Sequence, residues 1–318
     1  MPTTLVTGVA GFIGSHLAVR LLDLGHQVVG LDNFSGSSPD NLAHLKSHPH
    51  YASFRFIEGD IRDLPTCHSA VNQADYVLHQ AALGSVPRSV KEPLLYHENN
   101  ITGTLNMLLA ARDAGVKRFV LASSSSVYGD TPTLPKHEEM PPAPLSPYAV
   151  SKLTGEAYCH AFYRAYGLPT VALRYFNVFG PRQNPHSQYA AVIPKFVTAC
   201  RTDQAITIYG DGEQTRDFTF VDNVVRANLL ACSCSDALLG QAINVGCGDR
   251  ISVNRLAIEI QKLILGDMPG RGIDYLPPRE GDIKDSLAAI TRLTALGVTD
   301  PVSLEVGLQQ TVAWYMAQ

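Results

Sequence analysis

Residues 4–32 read TLVTGVAGFIGSHLAVRLLDLGHQVVGLD. A short apolar run leads into glycines at every third position, and an amphipathic segment with the period of a helix follows at 15–24. Gly25 predicts the C-terminal end of that helix, and a second apolar run then leads to Asp32. A strand, a glycine turn, a helix and a second strand in this order predict one unit of a parallel α/β sheet.

The glycine turn has the composition of a phosphate cradle. Gly8, Gly11 and Gly14 let the backbone approach a pyrophosphate, and the N-terminus of the following helix offers N–H groups and a favourable dipole. Asp32 follows Gly14 by 18 residues, near the spacing of an acid that binds ribose hydroxyls. The spacing is G-x-x-G-x-x-G, not the general G-x-G-x-x-G, and glycine turns without a ligand occur. The full context still predicts a dinucleotide site, and the absence of an arginine next to Asp32 favours NAD over NADP.

Further apolar runs extend the pattern along the chain. They predict strands at 54–57, 74–79, 117–122 and 171–176. Because helical segments such as 99–114 separate them, we expect an α/β fold with a Rossmann-type doubly wound parallel sheet. The alternation weakens after residue 176. We therefore expect an NAD-binding domain over 1–176, to which the chain returns around 217–249, and a smaller mixed α/β substrate domain over 177–318.

Composition narrows the function classes. The chain has 318 residues and a net charge of −4, so no basic field indicates a nucleic-acid partner. Six cysteines include no Cys-x-x-Cys pair, and no metal site is predicted. The N-terminus shows no signal peptide, and no apolar run reaches about 18 residues, so we expect a cytoplasmic protein without a membrane span.

Tyr148 and Lys152 lie four residues apart and would share one face of a helix that Ser146 or Pro147 can start. A free tyrosine has a pKa of about 10, and a fixed ammonium nearby is expected to lower it. A tyrosine tuned in this way can remove a proton from an alcohol. The same spacing also occurs by chance on exposed helices. Serines 123–126 follow the fifth strand, where a hydroxyl could bind a substrate alcohol or simply form a turn.

Three charged residues are weaker candidates. Asp60 follows the third strand and is placed either to reach an adenine amino group or to be a solvated loop acid. Arg216 and Arg279 would each suit a diphosphate, because a guanidinium can grip two oxygens at once. A surface salt bridge is the alternative for both arginines.

Together these motifs resemble the extended short-chain dehydrogenase/reductase superfamily. Within it the chain is most similar to the nucleotide-sugar epimerase family, and especially to its UDP-N-acetylglucosamine 4-epimerase group. The resemblance covers nearly the whole chain. The motifs that carry it are Thr7 through Gly14, Asp32-Asn33, Gly59-Asp60-Ile61, Gln80-Ala81-Ala82, Ser123 through Gly129, Tyr148-x-x-x-Lys152, Arg174-Tyr175-Phe176-Asn177, Gly210-Asp211-Gly212, Arg216-Asp217-Phe218 and Arg279-Glu280-Gly281-Asp282.

The resemblance implies a set of site residues. Tyr148 would be the base, supported by Lys152 and Ser124. Contacts to a tightly bound NAD that is not consumed would come from Gly8, Gly11, Phe12, Ile13, Gly14, Asp32, Asn33, Asp60, Ile61, Gln80, Ala81, Ala82, Asn99, Ser123, Tyr148, Lys152 and Tyr175. Contacts to a UDP-sugar would come from Ser85, Ser124, Ser125, Asn177, Ala191, Val192, Thr207, Tyr209, Arg216, Arg279, Asp282 and Ser286. The resemblance also implies a homodimer, formed through the helices near 97–113 and 149–166.

The departures from related enzymes predict the reaction. Related dehydratases and UDP-glucuronate decarboxylases carry an acid just after the catalytic hydroxyl, whereas Ser125 follows Ser124 here. This difference favours C4 epimerisation of a UDP-hexose through a 4-keto intermediate, without net redox. Ser286 follows Arg279 by seven residues, at the family position that controls room for the sugar's 2-substituent. A small residue there admits an N-acetyl group, although Ser286 could also be a plain loop serine.

UDP-GlcNAc and UDP-GalNAc are therefore the expected substrates, with UDP-glucose and UDP-galactose as further candidates. The alternatives are a UDP-glucuronate 4-epimerase, a UDP-glucose-only 4-epimerase, a net dehydrogenase or reductase, and a non-catalytic NAD-binding regulator on the same fold.

Overall fold

The computed structural model describes residues 1–184, 191–266, 268, 270–278 and 283–318. Its strands are β1 (Thr3–Thr7), β2 (Gln27–Asp32), β3 (Phe54–Glu58), β4 (Tyr76–His79), β5 (Arg118–Ser124), β6 (Thr170–Tyr175), β7 (Val178–Phe179), β8 (Ile206–Tyr209), β9 (Thr215–Arg216), β10 (Thr219–Phe220), β11 (Gln241–Val245), β12 (Ile251–Ser252) and β13 (Ile273–Leu276). Its helices are α1 (Phe12–Asp23), α2 (Leu64–Val71), α3 (Val86–Lys91), α4 (Pro93–Tyr96), α5 (Gly103–Ala114), α6 (Pro147–Tyr166), α7 (Val192–Arg201), α8 (Val221–Ala231), α9 (Val253–Leu265), α10 (Thr291–Leu296) and α11 (Leu304–Met316).

Seven strands form one parallel sheet in the order β11-β6-β5-β4-β1-β2-β3. The chain builds β1, β2 and β3 outward in one direction and then returns to place β4, β5 and β6 on the other side of β1. The reversal lies between β1 and β4, where Thr7 pairs with His79. Ligands of doubly wound sheets bind at the carboxyl ends of the strands at such a switch point. The predicted fold class is confirmed.

The sheet interior explains why its strands are continuous apolar runs. Leu5 and Val6 on β1 and Val77 and Leu78 on β4 are all fully buried, because helices cover both faces. The helices α1 and α8 pack against each other on one face, and α2, α5 and α6 lie together on the other. The two faces form two separate clusters of buried apolar side chains.

The C-terminal part of the chain adds small paired strands to this core. Two-stranded pairs form between β7 and β10, β8 and β13, and β9 and β12. In this part α7 packs on both α9 and β8. The chain also returns to the main sheet, because β11 pairs with β6 in parallel over Gln241–Val245. The domain boundaries expected from the sequence remain a prediction.

Most local signals in the sequence match observed turns and helix ends. Gly25 and Gly115 adopt left-handed backbone angles just after α1 and α5, with φ of 77° and 66°. Ser146 caps α6 by accepting a hydrogen bond from the Ala149 amide, and Pro147 is its first residue. One boundary differs. The helix was expected to begin at residue 99, but residues His97–Thr102 form a π-helical turn and α5 begins at Gly103. None of the described helices has the length and apolar character needed to cross a bilayer.

Candidate active site

The glycine turn leaves no space for side chains. Gly8 has φ of 67°, and an ideal Cβ on it would lie 2.7 Å from the Ala81 amide nitrogen at the end of β4. A Cβ on Gly14 would lie 2.1 Å from the Gly8 carbonyl oxygen. Because every close atom belongs to the backbone, only glycine permits this approach of β1, α1 and β4. The result is a partly buried row of backbone at the start of α1, which fits a pyrophosphate.

Asp32 closes the turn from the end of β2. Its carboxylate accepts hydrogen bonds from the Ala10 amide at 2.9 Å, the Phe34 amide at 2.8 Å and the Ser37 hydroxyl at 3.0 Å. A carboxylate has about four acceptor positions, so these three bonds fix its orientation and leave one position for a ligand hydroxyl. This is the arrangement expected for an acid that binds a ribose.

Asp60 is held in a salt bridge. Its carboxylate pairs with the Arg62 guanidinium at 2.7 Å and accepts a hydrogen bond from the Asn33 amide at 2.9 Å. The hydrogen bond from Arg62 lowers the pKa of Asp60 to about 2. The carboxylate therefore stays ionised, and one oxygen is shared between Arg62 and Asn33.

A cleft opens above this edge of the sheet. The predicted cofactor residues that line it are Gly8, Gly11, Asp32, Asn33, Ile61, Gln80, Ala81, Ala82 and Asn99. The cleft is also lined by Gly59, from the motif Gly59-Asp60-Ile61, and by residues not predicted from the sequence: Leu31, Ser35, Gly36, Ser37 and Leu83. Residues 35–37 follow Asp32 by three to five positions, so their place just after a strand was a usable signal. Phe12 and Ile13 begin α1 beside this cleft and do not line it.

Tyr175 acts on the cleft through a hydrogen bond to Gln80, a residue that lines it. Its hydroxyl donates a hydrogen bond to the Gln80 side chain at 3.1 Å and accepts one from Asn228 of α8 at 2.8 Å. Gln80 in turn donates to Asn228 at 3.0 Å, which completes a ring of three hydrogen bonds. Gln80 is thus the member of this ring that lines the cleft, and Asn228 is a contributor that no sequence signal identified.

Tyr148 and Ser124 come together at the carboxyl end of β5. Burial raises the pKa of the Tyr148 hydroxyl, and the neighbouring Ser124 side chain lowers it in part. Ser124 accepts a hydrogen bond from the Ser126 amide at 3.2 Å, which holds the serine turn. The pairing of a phenol with a serine hydroxyl is the geometry needed to pass a proton to or from an alcohol.

Lys152 lies one helical turn after Tyr148. It is buried, and its ammonium donates a hydrogen bond to the Ala122 carbonyl at 2.8 Å. The same ammonium lies 5.9 Å from the centre of the Tyr148 ring. Burial lowers the pKa of Lys152 to about 8, and the nearby Glu156 carboxylate opposes this by raising it.

The expected pKa direction for Tyr148 is wrong. The sequence predicted a pKa lowered by Lys152, but burial raises the pKa of Tyr148, and the neighbouring Ser124 side chain lowers it only in part. The physical reason is desolvation, which disfavours a phenolate. The Lys152 ammonium is engaged by the Ala122 carbonyl instead of the Tyr148 hydroxyl.

A second cleft, of about 540 Å³, lies between α7, β8 and β9, within the usual range for small-molecule sites. The predicted substrate residues that line it are Asn177, Ala191, Val192, Thr207, Tyr209 and Arg216. Lining residues that the sequence analysis did not identify are Val178, Phe179, Ile193, Lys195, Phe196, Thr198, Ala199, Gln204, Ala205, Ile208, Gln214, Phe218 and Val253. Six of these thirteen lie on α7 and β8 with ordinary periodicity, so the sequence could not separate those six from core residues.

Ser286 belongs to a buried cluster at the base of this region. Its hydroxyl accepts hydrogen bonds from the Asn177 side chain at 3.1 Å and from the Asp217 amide at 3.3 Å. The Asp217 carboxylate accepts three backbone N–H groups, from Cys247, Gly248 and Ala288. Burial raises the pKa of Asp217 to about 6, and those three hydrogen bonds lower it. Asp217 therefore ties together the segments that carry Asn177 and Ser286.

The other predicted residues are distributed as follows. Ser123 donates to the Glu156 carboxylate, and Ser125 begins the 3-10 turn Ser125–Tyr128. Ser85 caps α3 by accepting from the Arg88 amide at 3.1 Å. Arg279 and Asp282 lie outside the described residues.

Comparison with known proteins agrees with this geometry. A family profile described as the NAD-dependent epimerase/dehydratase family matches residues 4–246. A UDP-glucose 4-epimerase from Mycolicibacterium smegmatis is 40% identical, with 98% of each chain covered. A UDP-glucuronate 4-epimerase from Thermodesulfobacterium geofontis is 36% identical, with 98% of this chain and 95% of that protein covered.

Among solved structures, a UDP-N-acetylglucosamine 4-epimerase from Methanobrevibacter ruminantium in complex with UDP-N-acetylmuramic acid superimposes with a TM-score of 0.92. It is 40% identical, and the match covers 99% of this chain and 98% of that one. The resemblance drawn from the motifs is thereby confirmed. The chain belongs to the NAD-dependent epimerase/dehydratase family, which also confirms NAD as the predicted cofactor.

Proposed function

We propose that this protein is an NAD-dependent isomerase that inverts C4 of a UDP-hexose, with UDP-GlcNAc and UDP-GalNAc as its main substrate pair. The observation that carries the proposal is that Tyr148 lies beside Ser124, with the buried Lys152 one turn away, at the sheet edge that also holds the glycine cradle. The serine turn after Ser124 has no carboxylate, which supports epimerisation over dehydration or decarboxylation.

The chemistry follows from these side chains. NAD, when bound, supplies an acceptor and a donor for the C4 hydride. Tyr148 removes the proton of the sugar 4-hydroxyl, and Ser124 orients that hydroxyl by hydrogen bonding. The 4-keto sugar turns in the site and presents its other face, and Tyr148 then returns the proton. Because no cofactor is consumed, we expect NAD to remain bound through many turnovers.

Two features support a nucleotide sugar as the substrate. The second cleft is lined by Arg216, whose guanidinium suits a diphosphate, and by the apolar residues of α7 and β8, which suit a nucleoside. Relatives at 36–40% identity are named for UDP-glucose, UDP-N-acetylglucosamine and UDP-glucuronate. The small Ser286 favours the N-acetylated sugars among these, and the UDP-glucuronate 4-epimerase is the second candidate.

One assay tests the reaction and its sugar. The purified protein is incubated without added NAD, in parallel, with UDP-GlcNAc, UDP-glucose and UDP-glucuronate, and the C4 epimers are separated chromatographically. We expect UDP-GalNAc as the fastest product. Free NADH accumulating during turnover would indicate a net dehydrogenase, and bound NAD without any product would indicate a regulator.

Tyr148→Phe tests the proton transfer. We expect a loss of about 10²–10⁴-fold in kcat, the usual contribution of a positioned acid–base group. Tyr51→Phe is the control, because this tyrosine is exposed and lines neither cleft. Wild-type turnover by the Tyr148→Phe variant would overturn the assignment.

Cellular and quaternary properties are part of the proposal. We propose a cytoplasmic homodimer that associates through the helices near 97–113 and 149–166, with Val150 and Tyr166 among the exposed apolar residues of α6. Light scattering after size-exclusion chromatography measures the mass in solution and tests the dimer directly.

A further inference from the structure

A buried carboxylate lies one helical turn after Lys152. Glu156 of α6 accepts hydrogen bonds from the Ser123 hydroxyl at 2.5 Å and from the Arg174 Nε at 2.9 Å on Oε1, and from Arg174 Nη2 at 2.7 Å on Oε2. The two side chains of this ion pair are only 8% and 5% exposed. The geometry is bidentate and pairs Glu156 with a guanidinium, which cannot lose its proton in a protein.

The ion pair continues into a longer network. Arg174 donates to the Tyr128 hydroxyl at 2.8 Å, and Tyr128 donates to the Asn244 side chain at 2.7 Å. These contacts join α6 to the carboxyl ends of β5, β6 and β11 and to the turn that follows Ser124. The network therefore lies directly under the candidate catalytic groups.

Among the described residues, Glu156 is the charged group that acts on Lys152, and Arg174 is paired with that carboxylate. On α6 it faces the Tyr148 ring and Glu156, and on β5 it binds the Ala122 carbonyl. On β4 the nearby His79 hydrogen-bonds to Thr7 and Thr104, and burial lowers its pKa to about 3, so it stays uncharged. Glu156 is the group that favours the charged form of Lys152 against its burial.

Stability alone does not explain this ion pair. Burying two charges costs several kcal/mol per ion, and well-packed apolar replacements of similar volume are often as stable or more so. What an apolar pair cannot supply is a fixed negative charge beside a buried ammonium. The position of Glu156 four residues after Lys152 supplies that charge through one turn of α6.

We propose that Glu156, clamped by Arg174, is a positioning residue that keeps Lys152 protonated and holds the end of β5, with Ser124, against α6. The proposal rests on the proposed function, because it takes the charged Lys152 as the form that acts with Tyr148. It assigns Glu156 and Arg174 a part in the reaction although neither side chain reaches the clefts.

The test uses two variants of the full-length protein. Glu156→Gln removes the charge but leaves Arg174 unpaired, which can prevent folding. The double variant Glu156→Gln/Arg174→Met removes both charges and is expected to fold. Asp236→Asn, at an exposed acid in the turn before β11, controls for the change in net charge.

Two readouts report on Lys152. The first is the pH profile of kcat, whose alkaline limb falls as Lys152 loses its proton. The second needs no turnover and is a ¹³C NMR titration of labelled lysine side chains, with the Lys152 signal identified from a Lys152→Met variant. A charge about 6 Å away at an effective dielectric of about 20 predicts a downward shift of about two pH units in Glu156→Gln. The downward shift is smaller in the double variant, because loss of the Arg174 positive charge offsets part of it.

The outcomes separate the hypotheses. A downward shift of the alkaline limb of kcat and of the Lys152 NMR midpoint in the folded double variant, with both values unchanged in Asp236→Asn, supports the proposal. An unshifted midpoint in the folded double variant overturns it and leaves the ion pair with a structural role only. If the midpoint shifts in the double variant but the wild-type protein epimerises no UDP-sugar, the charge coupling is supported and the proposed function is overturned instead.

Discussion

Gly14→Ala tests the glycine cradle by adding a single methyl group. The new Cβ would lie 2.1 Å from the Gly8 carbonyl oxygen and 2.8 Å from the Gly8 carbonyl carbon and the Val9 Cα. Real Cβ contacts essentially never fall below 3.0 Å, so α1 and the turn must separate by about 0.9 Å. No flexible side chain is available to absorb this shift, because all three atoms belong to the backbone.

The turn cannot retreat freely. The Gly8 amide donates to the Leu31 carbonyl at 2.8 Å, and the Gly8 α-carbon packs against Ala81 on the opposite side. Overpacking of this kind typically costs about 1–3 kcal/mol of stability, and a misplacement of about 1 Å in a site can cost about 10²-fold in function. We expect Gly14→Ala to fold with a lowered unfolding temperature and to lose most of its bound NAD.

The assay is the NAD content per protein chain after gel filtration, measured by enzymatic cycling, together with thermal unfolding at increasing NAD concentrations. Gly84→Ala is the control, because Gly84 is exposed and its Cβ would meet no atom within 4 Å. Wild-type NAD content and an unchanged unfolding temperature in Gly14→Ala would refute the steric argument.

Two further predictions concern the substrate side. Ser286→Tyr should abolish turnover of UDP-GlcNAc but retain turnover of UDP-glucose, because a bulky phenol replaces a small buried side chain beside Asn177. Ser286→Ala is the control, and an equal loss of turnover of both substrates would contradict the size argument. Asp217→Asn should lower the free energy of unfolding by about 1–3 kcal/mol and raise KM, because an amide cannot accept all three N–H groups at that site. Urea denaturation measures the stability, and an unchanged urea midpoint would contradict this role.

The fold was largely readable from short-range signals. The glycine turn, Gly25, Gly115 and the Ser146-Pro147 cap are local features, and each acts within a few residues of its own position. Buried parallel strands appear as apolar runs because both of their faces are covered. The π-helical turn before α5 was not readable, since its Asn100 side chain is held by Leu83 and Ser151, distant in sequence.

The candidate site also has features that the sequence predicted and features that only the tertiary structure decided. Spacing alone placed Tyr148 and Lys152 on one helical face, and Asp32 at the end of a strand next to the glycine turn. Tertiary structure decided the pKa direction of Tyr148, because desolvation depends on everything packed around a group and not on its sequence neighbours. It also decided that Glu156 meets Arg174 and that Asn177 meets Ser286, contacts that exist only because the sheet order and the return of β11 bring separate segments together.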